Sequence, residues 1–233
     1  MEISSAFRIL PAALLAAVFA TPALAHGIGG SDAAFVASST GPQIVPFLYL
    51  GAKHMVTGYD HLLFILGVIF FLYRLSHVAL YVTMFSIGHS ITLLTGVLTG
   101  IHVNAFLIDA IIGLSVAYKA FDNLAGFKTL LGWQPNTKIA VLIFGLFHGF
   151  GLATKLQALK MSKDGLIANM ISFNVGVEVG QLIALAVMLG VILQWRRMQS
   201  FPKQAVWANA FIMAAGLVLM DYQLLGFFTQ GGA

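Results

Sequence analysis

The sequence predicts an all-α protein, a bundle of about six membrane-spanning helices that follows a cleaved signal peptide. Hydrophobic residues make up 59% of the 233 residues and charged residues only 9%, against about 25% charged residues in soluble domains. The mean hydropathy of +0.92 agrees with a chain whose solvent is lipid. At about 20 residues per span, the length accommodates six spans with short connections. The absence of cysteine excludes disulfides and thiolate metal sites.

Residues 1–25 predict a cleaved export signal. A single arginine precedes an apolar stretch, and the Ala-Leu-Ala sequence that ends at Ala25 matches the usual cleavage pattern. Cleavage there makes His26 the first residue of the mature chain, where its α-amine and ring nitrogen offer two ligands to one metal ion. A short extracytoplasmic segment, residues 26–43, then leads into a transmembrane domain, residues 44–233.

The transmembrane domain contains six apolar segments. The first, residues 44–73, would be about 45 Å long as a straight helix, whereas the hydrocarbon core is about 30 Å thick. We therefore expect breaks at Gly51 and Gly58, and broken helices at membrane depth usually line a buried site. The other segments predict helices over residues 77–99, 103–121, 137–158, 166–195 and 204–228.

The distribution of basic residues predicts a bacterial inner-membrane protein with its mature amino terminus outside the cytoplasm, because Lys and Arg gather in cytoplasmic loops. Seven basic residues fall at the connections assigned to the cytoplasm and four at the outer ones: Arg74, Lys119, Lys128, Lys138, Arg196, Arg197 and Lys203 against Lys53, Lys155, Lys160 and Lys163. The net charge of +4 therefore reflects topology and does not indicate nucleic-acid binding.

Ionisable residues inside the apolar segments are the candidates for function, since each costs about 3 kcal/mol at the bilayer centre and usually faces the bundle interior. Six are predicted metal ligands: His54, Asp60, His61, His89, His148 and Glu178. Five more are predicted as further ligands or as residues that orient a ligand: His26, Ser90, Asp109, Asn174 and Gln181.

The spacing of two groups supports these assignments. His54 and His61 would lie about 10 Å apart on an uninterrupted helix, so a break at Gly58 is needed to bring both imidazoles to one ion. Asn174 and Gln181 form one polar stripe on their helix together with Glu178. The alternative for this stripe is a structural hydrogen-bond clamp between helices.

The donor set predicts the class of metal. Imidazoles and carboxylates without thiolates suit Ni²⁺, Co²⁺, Zn²⁺ or Cu²⁺, whereas Mg²⁺ and Ca²⁺ prefer shells of oxygen alone. The residue pattern leaves all four transition metals open.

The residues His54, Gly58, Asp60 and His61 resemble the leading signature of the HupE/UreJ family of hydrogenase and urease accessory membrane proteins. The predicted signal peptide, span number and size are similar too. The resemblance implies permeation of nickel or cobalt into the cell for metalloenzyme maturation. The nickel-transporting branch has two His and a Glu close together in a later span, whereas His148 stands alone before glycines. The chain thus resembles a second branch of the family more closely.

The sequence therefore favours a membrane permease for a divalent transition metal of the nickel and cobalt class, and a transporter over an enzyme. Two alternatives stay open. One is an intramembrane zinc-type hydrolase, in which His and Asp ligands lower the pKa of a bound water. The other is a metal-loading or assembly factor for an exported metalloenzyme, which would be its partner.

Overall fold

The computed structural model describes residues 29–230. Within that range the chain forms nine α-helices and no strand, which confirms the predicted all-α class. The predicted signal peptide and His26 lie outside the described residues. The helices are α1 Gly30–Ser38, α2 Ile44–Thr57, α3 Tyr59–Ile69, α4 Leu75–Thr99, α5 Ala105–Asn123, α6 Gly126–Leu131, α7 Thr137–Ala158, α8 Leu166–Trp195 and α9 Phe201–Gln230.

Four of these helices, α4, α7, α8 and α9, are long and apolar enough to cross a membrane, and the membrane character of the chain follows from them. The predicted total of six spans is not confirmed. The helix α3 is apolar but has only 11 residues, and α5 carries Asp109, Lys119 and Asp122 within its 19 residues. The short helices α1 and α6 were not predicted.

The first apolar segment breaks at Gly58, as predicted. The backbone N–H of Gly58 donates to the His54 carbonyl at 2.9 Å, and the extended conformation of Gly58 (φ −74, ψ 96) separates α2 from α3. The break predicted at Gly51 is wrong, because α2 continues through it. Gly51 serves packing instead, since an added Cβ would collide with the backbone of Phe173 in α8.

Three helix pairs make the most extensive contacts: α2 with α8, α4 with α7, and α5 with α9. Glycines bring the backbones of each pair together, as small residues commonly do between membrane helices. A Cβ added at Gly88 of α4 would lie 2.5 Å from the Leu142 carbonyl oxygen of α7, and one at Gly113 of α5 would lie 2.6 Å from the Met220 nitrogen of α9.

The order of these contacts gives the helix directions. Gly88 lies against Leu142 and Gly96 lies against Ala153, so α4 and α7 run parallel. The same reasoning makes α2 parallel to α8 and α5 antiparallel to α9. Because Lys155 near the end of α7 contacts Asp109 near the start of α5, helices α4 and α7 finish where α5 begins.

We name the two ends of the bundle after buried or partly buried lysines. At the Lys155 end, where α7 finishes, Lys155 contacts Asp109 near the start of α5. At the Lys119 end, α5 finishes beside the last turn of α3, and Asn123 donates to the carbonyl of Gly67 at 2.8 Å. Residues that carry the candidate chemistry lie at both ends and between them.

Candidate functional site

Four buried imidazoles from four helices meet between the two ends of the bundle. His61 is central: its ring centroid lies 5.1 Å from that of His54, 5.0 Å from that of His148 and 6.1 Å from that of His89. The exposed fraction is 7% for His54 and 1% for each of the other three. We call these four residues the His cluster. They come from α2, α3, α4 and α7.

The break at Gly58 builds one half of the His cluster. It ends α2 just after His54 and starts α3 just before His61, so their ring centroids lie 5.1 Å apart instead of the roughly 10 Å expected along a continuous helix. A Cβ added at Gly58 would lie 2.8 Å from Nδ1 of His61. The glycine therefore leaves the space that the His61 ring occupies.

Glycines also build the other half. Cβ atoms added at Gly145 and Gly149 of α7 would collide with the backbone carbonyls of Phe85 and His89 in α4. This direct backbone contact brings His148, which lies between the two glycines, to the same depth as His89. The Phe85 ring stacks on His89 at 6.1 Å and meets His148 edge-on at 4.9 Å.

Hydrogen bonds orient two of the four rings. Nδ1 of His148 donates to the Phe144 carbonyl at 2.7 Å, because a carbonyl can only accept. Its lone pair is therefore on Nε2, which is buried and has no hydrogen-bond partner within residues 29–230. Nδ1 of His61 lies 3.1 Å from Oδ1 of Asp60. Such bonds fix the tautomer of metal-binding histidines and orient the ring.

The other two rings also have buried nitrogens without a hydrogen-bond partner among the described residues. These are Nε2 of His54 and both ring nitrogens of His89. A buried polar atom without a partner costs about 1–3 kcal/mol, so natural proteins seldom keep several together without a function. The chemistry that the His cluster offers is a set of imidazole lone pairs in an apolar surround, which suits a transition-metal cation.

The positions of the rings fit a common ion better than their orientations do. With each nitrogen about 2.1 Å from the metal, two imidazoles on one tetrahedral ion have centroids about 5 Å apart. The distances of 5.0 and 5.1 Å around His61 match this value. Nevertheless, no three His, Asp or Glu side chains of the described chain are arranged to hold one metal ion. Binding would therefore require the rings to rotate.

Two residues of the polar stripe on α8 bond to serines of α4. Asn174 donates to Oγ of Ser90 at 2.9 Å, and Oε1 of Gln181 accepts from Ser86 at 2.8 Å. Both bonds tie α8 to α4. These bonds are of the kind expected from the structural clamp, which was the alternative for the stripe, while Oδ1 of Asn174 is buried without a hydrogen-bond partner among the described residues.

The structure does not bring Glu178 to the His cluster, although Glu178 was predicted as a ligand. Its side chain is exposed on the surface of α8. The neighbouring residues Gly176 and Gly180 pack against the backbone of α2, and this contact sets which face of α8 is buried. Glu178 lies at the edge of that face.

Asp109 is held by a lysine. Its Oδ2 and Oδ1 atoms accept from Nζ of Lys155 at 2.8 and 3.1 Å. The pair lies at the Lys155 end of the bundle, where the Lys155 ammonium occupies the Asp109 carboxylate.

The sequence analysis missed a second buried polar group at the Lys119 end. Lys119 was assigned to a connection, but it lies on α5 and is only 7% exposed. Its Nζ donates to Asp122 and Asn123, at 2.7 Å each. The available signal was the helical spacing of Lys119 and Asp122, three residues apart at the end of an apolar helix.

Comparison with known proteins identifies the family of the chain. The family model described as HupE / UreJ protein matches residues 30–231, a range that includes the whole His cluster. No curated protein and no solved structure matches the chain. Because the family model covers most of the sequence, the chain belongs to the HupE/UreJ protein family.

Proposed function

We propose that the protein is a membrane permease for a divalent transition-metal ion of the nickel and cobalt class. In this proposal the ion is the cargo, and the His cluster binds it midway through the membrane. The observation that carries the proposal is the convergence of four buried imidazoles around His61, at centroid distances of 5.0 to 6.1 Å. Membership of a family associated with nickel and cobalt transport or accessory function supports it.

The chemistry of the His cluster suits a site that binds an ion and then releases it. Neutral imidazole nitrogens replace water ligands on Ni²⁺ or Co²⁺ without adding charge. A permeation site must bind strongly enough to admit the ion but weakly enough to let it leave. Rings that must rotate to coordinate the ion bind it less tightly than a rigid site would, which favours release.

Further polar groups extend along the bundle on both sides of the His cluster. His89 lies ten residues before the end of α4 at Thr99, or about 15 Å from the Lys155 end. The Asp109–Lys155 pair lies towards that end, and the Asp122–Lys119 pair lies at the opposite end. Polar groups at both ends of the bundle and at the His cluster between them support passage, whereas a hydrolase needs one fixed metal with an open ligand position.

For uptake into the cell, which the family resemblance implies, the proposed orientation sets the end at which the ion enters. With the mature amino terminus outside the inner membrane of a bacterium, α2, α5 and α8 run inwards. The ion then enters at the Lys155 end and leaves at the Lys119 end. The basic residues Arg196 and Arg197, just after α8, would face the cytoplasm, in agreement with the positive-inside rule.

Flux into proteoliposomes tests the proposal. The full chain is reconstituted with an internal metal-sensitive dye, and the initial quenching rate is measured after external Ni²⁺ or Co²⁺ is added. We expect His61→Ala to lower the rate by about tenfold or more, as the loss of a metal-site residue commonly does. The matched control is His77→Ala, since His77 is exposed at the start of α4, and it should transport like the wild type.

Other outcomes would contradict the proposal. Equal flux in His61→Ala and His77→Ala would show that the His cluster is not the route. A metal held tightly by the wild type without any flux would favour the zinc-type hydrolase, and stable co-purification with an exported metalloenzyme without flux would favour the assembly factor.

A further inference from the structure

The buried lysine at the Lys119 end sits between two oxygen ligands. Nζ of Lys119 donates to Oδ2 of Asp122 and to Oδ1 of Asn123, both at 2.7 Å. Lys119 is 7% exposed and Asp122 is 6% exposed. A cation is thus held by a carboxylate and an amide oxygen deep in the protein, in the way that a bound metal ion would be.

The two oxygens are fixed by bonds that do not involve the ammonium. Nδ2 of Asn123 donates to the Gly67 carbonyl and to Oδ1 of Asn209, both at 2.8 Å, so its own oxygen must face the ammonium. Oδ1 of Asp122 accepts from Nε2 of Gln134 at 2.8 Å. The cation site therefore keeps its shape if the lysine side chain moves away.

A cavity of about 290 Å³ adjoins this site. At about 30 Å³ per water molecule, it has room for a hydrated ion. Its lining combines polar and apolar residues: Lys119, Asp122, Asn123, Gln134 and Thr137, with Val68, Phe71, Leu72 and Tyr81. A cation displaced from between the oxygens, or the lysine ammonium itself, therefore has polar space to enter.

Two aromatic rings connect the surroundings of the His cluster with those of this cavity. The rings of Phe64 and Phe85 lie 5.2 Å apart, and both contact His148, at 5.3 and 4.9 Å. The same two rings border a small gap that Val68 and Tyr81 also line, and these two residues line the cavity. The shared residues trace a path from the His cluster to the Lys119 end along Phe64 and Phe85.

Building on the permease function proposed above, we propose that Asp122 and Asn123 form a second binding station for the divalent cargo ion. The ammonium of Lys119 occupies this station between passages, as a cation tethered to the chain. An ion that passes Phe64 and Phe85 displaces the ammonium into the cavity. Return of the ammonium to Asp122 then expels the ion towards the Lys119 end, so the carboxylate is never left without a counter-charge.

The double substitution Lys119→Met/Asp122→Asn tests the station directly. It removes both charges together, because a single change would leave one buried charge unpaired. We expect Co²⁺ binding by the purified protein, followed by its visible absorption, to stay unchanged, since the His cluster is intact. The proteoliposome flux of Co²⁺ should fall by about tenfold or more, as expected when a metal ligand is lost.

The matched control is Lys53→Met/Asp32→Asn. This pair has the same Nζ–Oδ2 distance of 2.7 Å but lies at the surface, with 42% and 24% of the two side chains exposed. Flux in the control should equal that of the wild type. Equal flux in the Lys119→Met/Asp122→Asn variant and the control would overturn the second station. If the wild type itself neither bound Co²⁺ nor transported it, the permease function would be overturned instead. The two failures are therefore distinguishable.

A conservative variant decides the question if the double variant does not fold. Lys119→Arg keeps the charge pair, and the adjoining cavity gives room for the guanidinium. Because arginine binds a carboxylate through two parallel hydrogen bonds, it should be displaced less readily and lower the flux severalfold while Co²⁺ binding is retained. A pair with only a structural role would tolerate this change, so wild-type flux in Lys119→Arg would overturn the proposal.

Discussion

Replacement of Gly58 by alanine should disrupt the His cluster, because the added Cβ crowds His61 and its neighbours. The added Cβ would lie 2.8 Å from Nδ1 of His61 and 3.4 Å from Oδ1 of Asp60. Ordinary contacts between such atoms are about 3.5 Å or longer, so the His61 ring must shift by about 0.7 Å. The extended conformation of residue 58 (φ −74, ψ 96) is open to alanine. The added Cβ would also lie 3.1 Å from the His54 carbonyl oxygen, so it crowds both histidines on either side of the break.

The surroundings of His61 prevent an easy adjustment. Rings of His54 and His148 lie 5.1 and 5.0 Å away, and Asp60 binds Nδ1 at 3.1 Å. A shift of about 0.7 Å exceeds the tolerance of about 0.5 Å for a functional constellation. We expect the affinity for Co²⁺ to fall by about 10- to 100-fold. Overpacking should also lower the free energy of unfolding by about 1–3 kcal/mol.

Two measurements on the purified protein check this prediction. Titration with Co²⁺, followed by its visible absorption, gives the affinity, and intrinsic fluorescence on heating gives the Tm. Gly190→Ala is the matched control, because a Cβ added there meets no atom of the described residues within 4 Å. If Gly58→Ala bound Co²⁺ as tightly as Gly190→Ala, the reasoning that Gly58 positions His61 would be refuted.

Three further substitutions separate structural roles from metal binding. Arg196→Gln should lower the Tm by several degrees, because the guanidinium donates to three carbonyls at the end of α3 at 2.5 to 2.8 Å. Such charged bonds contribute about 1.5–3 kcal/mol each. Arg197→Gln, at an exposed residue, should leave the Tm unchanged. Asn174→Leu should lower the Tm slightly, by loss of its bond to Ser90, and leave the Co²⁺ affinity unchanged. Glu178→Gln should change neither quantity, because Glu178 is exposed; a weaker Co²⁺ affinity would restore it as a ligand.

The break in the first apolar segment could be predicted from length, but only one of its two positions was right. A segment of 30 residues is too long for the bilayer, and this reasoning does not depend on any contact. The choice between Gly51 and Gly58 does depend on contacts. Gly51 packs against the backbone of α8, and a glycine used for close packing looks the same in a sequence as one that ends a helix.

The candidate site shows a similar division. The cost of burying an imidazole in lipid made His54, His61, His89 and His148 predictable as interior residues, and the structure brings them together. A carboxylate in lipid is costly too, so Glu178 was also expected in the interior. Its helix is oriented instead by glycines that pack against α2, and the polar stripe alone does not reveal this orientation. Lys119 was assigned to a loop because lysine usually marks a span end, and its buried partners become visible only in the fold.

X-ray absorption at the metal edge of the Co²⁺-loaded protein tests the central claim most directly, because it reports the ligands of the bound ion. The account predicts imidazole nitrogens at about 2.1 Å, with characteristic ring scattering, and fewer of them in His61→Ala. A spectrum dominated by oxygen ligands, or one that stays the same when His61 is replaced, would contradict binding of the ion by the His cluster.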